Sequence, residues 1–173
     1  MTRDFLIIGG GIAGISAAAR LSHLGQVTLL EGEAQFAHHA SGRSAALYEP
    51  FYGLPPVVAF SHASADYLRQ ANGGVLSPRG LMIVAGPPER EAFEKDIKVM
   101  DLTEISFAEA RGRMPVLNPA TVCYAGWADH AWDIDTDLLI QNFVREARVN
   151  GAELVTGARV NGLVRGGGGW VAE

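Results

Sequence analysis

The chain has 173 residues, with 14 Lys and Arg against 19 Asp and Glu, and a formal net charge of −5. That balance excludes the basic footprint of a nucleic-acid binder, and a single cysteine, Cys123, excludes an internal disulfide or a cysteine metal cluster. With 48% hydrophobic residues, the length suits one domain, or one domain plus a piece of another.

Residues 4–8 (DFLII) predict a short buried strand. Four glycines interrupt the small, apolar run over 5–19, and Asp4 precedes it, which argues against a secretory leader. The run is too short to span a bilayer, and the chain reads as cytoplasmic, with no transmembrane segment. Residues 12–24 predict an alanine-rich helix with Ile12, Ile15, Ala19 and Leu21 toward the sheet and Gly25 as its stop. Residues 26–31 (QVTLLE) predict a second strand. This βαβ beginning implies a parallel sheet and an α/β fold.

Residues 32–54 read as loop, and Pro55–Pro56 starts a helix to about Gln70. "NGG" at 72–74 closes it. Residues 75–86 read as a strand pair broken at Pro78–Gly80. An amphipathic helix over 89–100 carries Phe93, Ile97 and Met100 on one side, and a short helix covers 106–112. The stretch from 125 leads to an N-cap at Asp135, followed by a helix over 136–149 with Leu139, Phe143 and Ala147 as its buried stripe. Residues 153–165 give one or two strands, Gly166–Gly169 a turn, and 170–173 the start of a return strand. A hairpin ending in its second arm leaves an uncovered edge, so the chain is expected to be the front part of a longer polypeptide.

The chemistry starts at the first turn. Gly9, Gly11 and Gly14 have the G-x-G-x-x-G spacing between a strand and a helix. Gly9 permits the tight turn, Gly11 lets a pyrophosphate approach the backbone, and Gly14 lets the helix pack on the strand. The helix N-terminus offers unpaired N–H groups and partial positive charge to a diphosphate. Glu31 ends the second strand and can accept hydrogen bonds from both hydroxyls of an adenine ribose, while repelling a 2′-phosphate. The turn alone leaves NAD and FAD open. The loop that follows, with Ala40, Ser41, Gly42, Ser44, Ala45 and Ala46, is built of small and hydroxyl residues that let backbone N–H groups approach a flat ring system.

"IIGGGIAGISAAARL…VTLLEGE" followed by "SGRSAALYEPFYG" resembles the D-amino-acid oxidase/dehydrogenase family of FAD flavoenzymes, which includes glycine oxidase and sarcosine oxidase. The D-arginine dehydrogenase type is the nearest likeness. The resemblance extends through "LSPRGLMIV" (76–84) and "DIDTDLL" (133–139) and matches about the first half of a typical member. It implies a Rossmann-like βαβ FAD-binding domain of the glutathione-reductase kind at 1–74 and 131–173, incomplete here, with the start of a mixed β-sheet substrate domain at 75–130. It implies FAD held through Gly9, Gly11, Ile12, Ala13 and Gly14 at the pyrophosphate and Glu31 with Gly32 at the adenosine. Ser41, Gly42, Arg43, Ser44, Ala45 and Ala46 would lie along the ribityl chain and ring, and Val160 against the adenine.

The resemblance further implies oxidation of the C–N bond of a D-amino acid or secondary amine by hydride transfer to flavin N5, with oxygen or a quinone as acceptor. The alternatives are a dehydrogenase of a 2-hydroxy acid or glycerol phosphate, and an inactive FAD-binding fragment. Tyr48 and Tyr52 lie on the segment that covers the substrate pocket in the family. D-arginine-type members carry a histidine at the place of Leu47 and an acid at that of Leu81. Leucine at both predicts a pocket that prefers an apolar or small substrate. The carboxylate clamp of the family, an Arg and a Tyr, is expected beyond Glu173. Arg79 reads as a turn residue, His38 and His39 give no metal spacing, and Cys123 reads as a buried small hydrophobe.

Overall fold

The computed structural model describes residues 3–173. In chain order the elements are β1 (Phe5–Ile8), α1 (Ile12–Leu21), β2 (Val27–Leu30), β3 (Leu47–Tyr48), α2 (Pro55–Gln70), β4 (Leu76–Pro78), β5 (Leu81–Ala85), α3 (Arg90–Val99), β6 (Thr103–Ile105), α4 (Phe107–Arg113), β7 (Tyr124–Ala128), β8 (Trp132–Ile134), α5 (Thr136–Val149), β9 (Glu153–Val155), β10 (Leu163–Gly166) and β11 (Gly169–Ala172). They form two compact units, one through Ala45 and again from Asp135 onward, the other over Ala46–Ile134. Residues 46–74 therefore fall in the second compact unit.

The first unit is built on a parallel sheet ordered β1-β2-β9. Phe5 to Ile8 pair in register with Val27 to Leu30, and Thr28 to Leu30 with Glu153 to Val155. Parallel neighbours need a crossover, and α1 supplies it. Ile15, Ala18 and Ala19 of α1 are wholly buried, as are Leu29 of β2 and Ala147 of α5. Alanine at these positions lets α1 and α5 lie close together, and Leu139 and Phe143 extend the buried stripe of α5. Asp135 caps α5: its carboxylate accepts from Leu138 N at 2.8 Å.

Two expectations for α1 need correction. The helix stops at Leu21 instead of running to 24, because the chain turns over Ser22–Gly25, with Gly25 N donating to Leu21 O. Ile12 is 38% exposed, since it sits in the first turn at the open end of the sheet. The opposite sheet face leaves Leu6 and Ile8 exposed, and they border a hollow of about 980 Å³ shared with Trp170 and Val171 of the β10–β11 hairpin.

The second unit contains two antiparallel sheets, β3-β8-β4 and β5-β7-β6. β4 and β5 do not pair with one another, unlike the strand pair expected over 75–86. Gly80 at φ +80° sends the chain from one sheet to the other, and a side chain there would strike the Trp127 ring. Phe93 of α3 is buried against Tyr124, with ring centroids 5.7 Å apart. Cys123, expected to be buried, is exposed. It precedes β7, where its backbone N bonds to Ala85 O while the side chain faces out.

Candidate functional site

The first unit assembles its site where β1 meets α1. Gly9 has φ +104°, in the left-handed range, and its N–H bonds to Leu30 O at 2.8 Å, which ties the bend to β2. Gly11 is the N-cap of α1 and has no side chain with which to cap it. The first intrahelical bond runs from Ile15 N to Gly11 O, so the N–H groups of Ile12, Ala13 and Gly14 precede the ladder and point out of the helix end. No acidic residue sits in that first turn to compete with an anion. At Gly14 an added Cβ would lie 1.9 Å from Gly9 O. Only glycine permits this approach of helix to bend.

Glu31 faces the bend. Its Oε2 accepts from Gly10 N at 2.5 Å, and its Oε1 from Glu33 N at 2.8 Å. Partial burial pushes its pKa up, but the N–H groups of Glu33, Gly10 and Gly32 outweigh this, so the net shift is downward and the carboxylate is held ionised. A carboxylate has about four lone-pair sites, so two backbone bonds orient Glu31 and leave it able to accept from ribose hydroxyls. Gly10, which the sequence reading gave no role, makes this possible. An added Cβ would stand 2.6 Å from the Phe36 ring and 2.9 Å from Glu31 Oε2. The run of three glycines was the available signal.

The loop after β2 is bound to the same bend. Ala37 N donates to Gly10 O at 2.9 Å, and the Ser41 hydroxyl accepts from Ile12 N at 3.0 Å. Ser41 lies in a short turn of 3₁₀ helix, Ala40–Arg43. Gly42 is required there because a Cβ would meet Ala37 O at 2.2 Å. Arg43 turns back to His38 O through Nε at 3.3 Å, and Ser44 and Ala45 are exposed. Ala46 instead enters the second unit's sheet, its carbonyl accepting from Ile134 N. Val160, Gly32 and Gly9 line one cavity of about 290 Å³ together with Arg159 and Glu33. The open bend, the helix end with Ile12 N engaged by Ser41, and this cavity fit a dinucleotide: nothing packed fills the space beside Gly9, where an added Cβ meets no atom within 4 Å.

In the second unit, Leu47, Tyr48, Tyr52 and Leu81 line a single cavity of about 760 Å³, with α2 as one wall. Tyr48 is buried, donates to Ser61 O at 3.0 Å, and has its pKa raised by desolvation. The lining is mostly apolar, with the hydroxyls of Ser61 and Ser64, the phenols of Tyr48 and Tyr52, and one charged residue that the sequence reading passed over. Glu49 is 7% exposed and belongs to the wall. Its Oε1 accepts from Phe51 N at 2.9 Å, and His130 Nε2 stands 3.3 Å away without hydrogen-bond alignment. Among the described residues Glu49 Oε2 has no hydrogen-bond partner. Arg79 is ion-paired with Asp133 at 2.8 Å, and His39 with Glu33 at 3.0 Å.

Comparison with known proteins gives the family and the fold. Residues 4–173 match the family described as DAO, FAD dependent oxidoreductase. The chain is similar in structure to an L-α-glycerophosphate oxidase from Mycoplasma pneumoniae with FAD bound: TM-score 0.87, 22% identity, 99% of this chain and 49% of that one covered. It is also similar to glycine oxidase from Geobacillus kaustophilus, with TM-score 0.81 and 21% identity over 98% of this chain and 50% of that one. In sequence it is 26% identical over 145 residues to the tRNA 5-methylaminomethyl-2-thiouridine biosynthesis bifunctional protein MnmC of Burkholderia thailandensis, covering 73% of this chain and 21% of that protein. The chain thus spans about half the length of these structures and about a fifth of MnmC. The fold is the α/β Rossmann-like FAD-binding fold together with a mixed β-sheet domain. The chain belongs to the FAD dependent oxidoreductase family, and FAD is the cofactor of that family.

Proposed function

We propose that this chain carries the cofactor-gripping part of an FAD-dependent enzyme that oxidises the C–N bond of a D-amino acid or secondary amine. The observation that supports this most is Glu31 held toward the bend by Gly10 N, beside a helix end open to a diphosphate. Gly9, Gly11, Ile12, Ala13 and Gly14 would hold the diphosphate, Glu31 and Gly32 the adenosine ribose, and Val160 the adenine. Ser41 through Ala46 would follow the rest of the cofactor, with Ser41 fixing the loop to Ile12 N. When bound, FAD supplies the hydride acceptor for the oxidation. The protein's share is to position and enclose, and no nucleophile is needed.

The 760 Å³ cavity of the second unit is the substrate's on this reading, with Leu47, Tyr48, Tyr52 and Leu81 in its wall. The likeness to D-arginine dehydrogenases supports an amine substrate, while two leucines favour one with an apolar body. Alcohol oxidation, as in glycerol phosphate dehydrogenases, is the rival. The reading is tested by mixing the FAD-loaded enzyme that carries this chain, without oxygen, with D-amino acids, secondary amines, 2-hydroxy acids and glycerol phosphate. Bleaching of the flavin by an amine is expected. Bleaching by a hydroxy compound with none by any amine would reject it.

A further inference from the structure

We propose that Arg159 is a further cofactor-binding residue, whose guanidinium covers the face of the adenine ring of FAD. The inference rests on the reading that Glu31 and Val160 hold the adenosine, and takes nothing from the amine chemistry. Three observations carry it. The backbone before Arg159 is fastened beside the ribose acid: Gly157 N donates to Glu33 O at 2.7 Å, and Ala158 N to Glu31 O at 2.8 Å. The stem of Arg159 lies across Gly32, where an added Cβ would stand 3.7 Å from Arg159 Cα and 3.8 Å from its Cβ and Cγ. Both residues line the cavity of about 290 Å³ that borders Gly9. The guanidinium is also unclaimed: among the described residues it has no hydrogen-bond or ion-pair partner, whereas those of Arg79 and Arg90 are tied to carboxylates.

The other walls decide which part of the cofactor meets it. Ile8, Leu30, Ala158 and Val160 are apolar, and the carboxylate of Glu33 would repel a phosphate. With the diphosphate at the start of α1 and the ribose at Glu31, the base is the part left for this cavity. It is flat, uncharged and aromatic, and a planar guanidinium stacks on such a face by cation–π attraction. The missing side chain of Gly32 gives the arginine stem its track along the cavity wall.

The test measures binding without turnover. Calorimetry on the enzyme carrying this chain, freed of FAD, compares ADP with ribose 5-diphosphate, which has the same sugar and diphosphate but no base. R159M keeps a stem and loses the charge and the plane. It should weaken ADP about threefold or more, while ribose 5-diphosphate stays within about twofold of the wild type. Equal weakening of both ligands would assign Arg159 to the phosphates, and weakening of neither would leave it in solvent; either result overturns the proposal. Arg159 is exposed, so R159M should fold, and its undiminished binding of ribose 5-diphosphate is the check. E31Q separates this inference from the reading beneath it, because Glu31 serves the ribose that both ligands share. Weakening of both by E31Q, with no effect of R159M, rejects the role of Arg159 alone. A wild type that binds neither ligand, or an E31Q that weakens neither, rejects the placement of the adenosine and this inference with it.

Discussion

Glu31 and the glycines around it act as one device. Gly10 clears the space that the carboxylate occupies, its N–H donates to that carboxylate, and Gly14 brings the helix end to the same place. G14A forces a Cβ onto the Gly9 carbonyl and should destabilise the protein by about 3 kcal/mol, read as a lower urea midpoint with unchanged slope. G10A should leave stability less affected but displace Glu31, so FAD affinity falls while the far-ultraviolet spectrum stays the same. E31Q should weaken FAD binding about tenfold through the loss of charge-assisted bonds. The pH dependence has a defined sign. The folded-state pKa of Glu31 is below its ordinary 4.5, so its contribution to stability is present above that value and is lost as pH falls through the folded pKa. The stability gap between wild type and E31Q should therefore narrow on acidification, and a gap that widens would count against this arrangement. The bend was legible in the sequence because the places of Gly9 and Gly14 follow from their spacing, whereas the part of Gly10 shows only in the fold. Glu49 was not legible, because only folding shows which carboxylate is buried in an apolar wall.

At the scale of the element, the long helices and the strands β1, β2 and β9 were legible, and the short strands β3 and β6 were not. α2 and α5 announce themselves by Pro55–Pro56, by the Asp135 cap and by an apolar stripe. β6 is three residues long with Glu104 at its centre, bound to Arg90 at 2.6 Å, and no periodicity marks such a segment. The partners of β4 and β5 were hidden for another reason. Two strands next to each other in sequence usually pair, and here a single positive-φ glycine diverts the second into a different sheet. The capping of α5 offers a check on the element itself. D135A removes the bond to Leu138 N and should cost about 1 kcal/mol in thermal or urea unfolding. A change below a few tenths would mean that the cap is replaced by water.

Across the whole molecule, the two units carry separate tasks on the proposed reading. The first unit supplies a helix end and an oriented acid for FAD, and the second a mostly apolar cavity for the substrate. FAD should protect the protein against heat in proportion to its occupancy, because a ligand that binds only the folded state stabilises it by mass action. G10A and E31Q should blunt that protection. Which substrate fills the cavity was not legible in composition or motif, since it depends on side chains brought together from β3, α2 and β5.

A crystal structure of the FAD-loaded enzyme would test the account most directly. The diphosphate should lie over the N–H groups at the start of α1, with Glu31 about 2.7 Å from the adenosine ribose hydroxyls. A diphosphate bound elsewhere, or a ribose out of reach of Glu31, would contradict it.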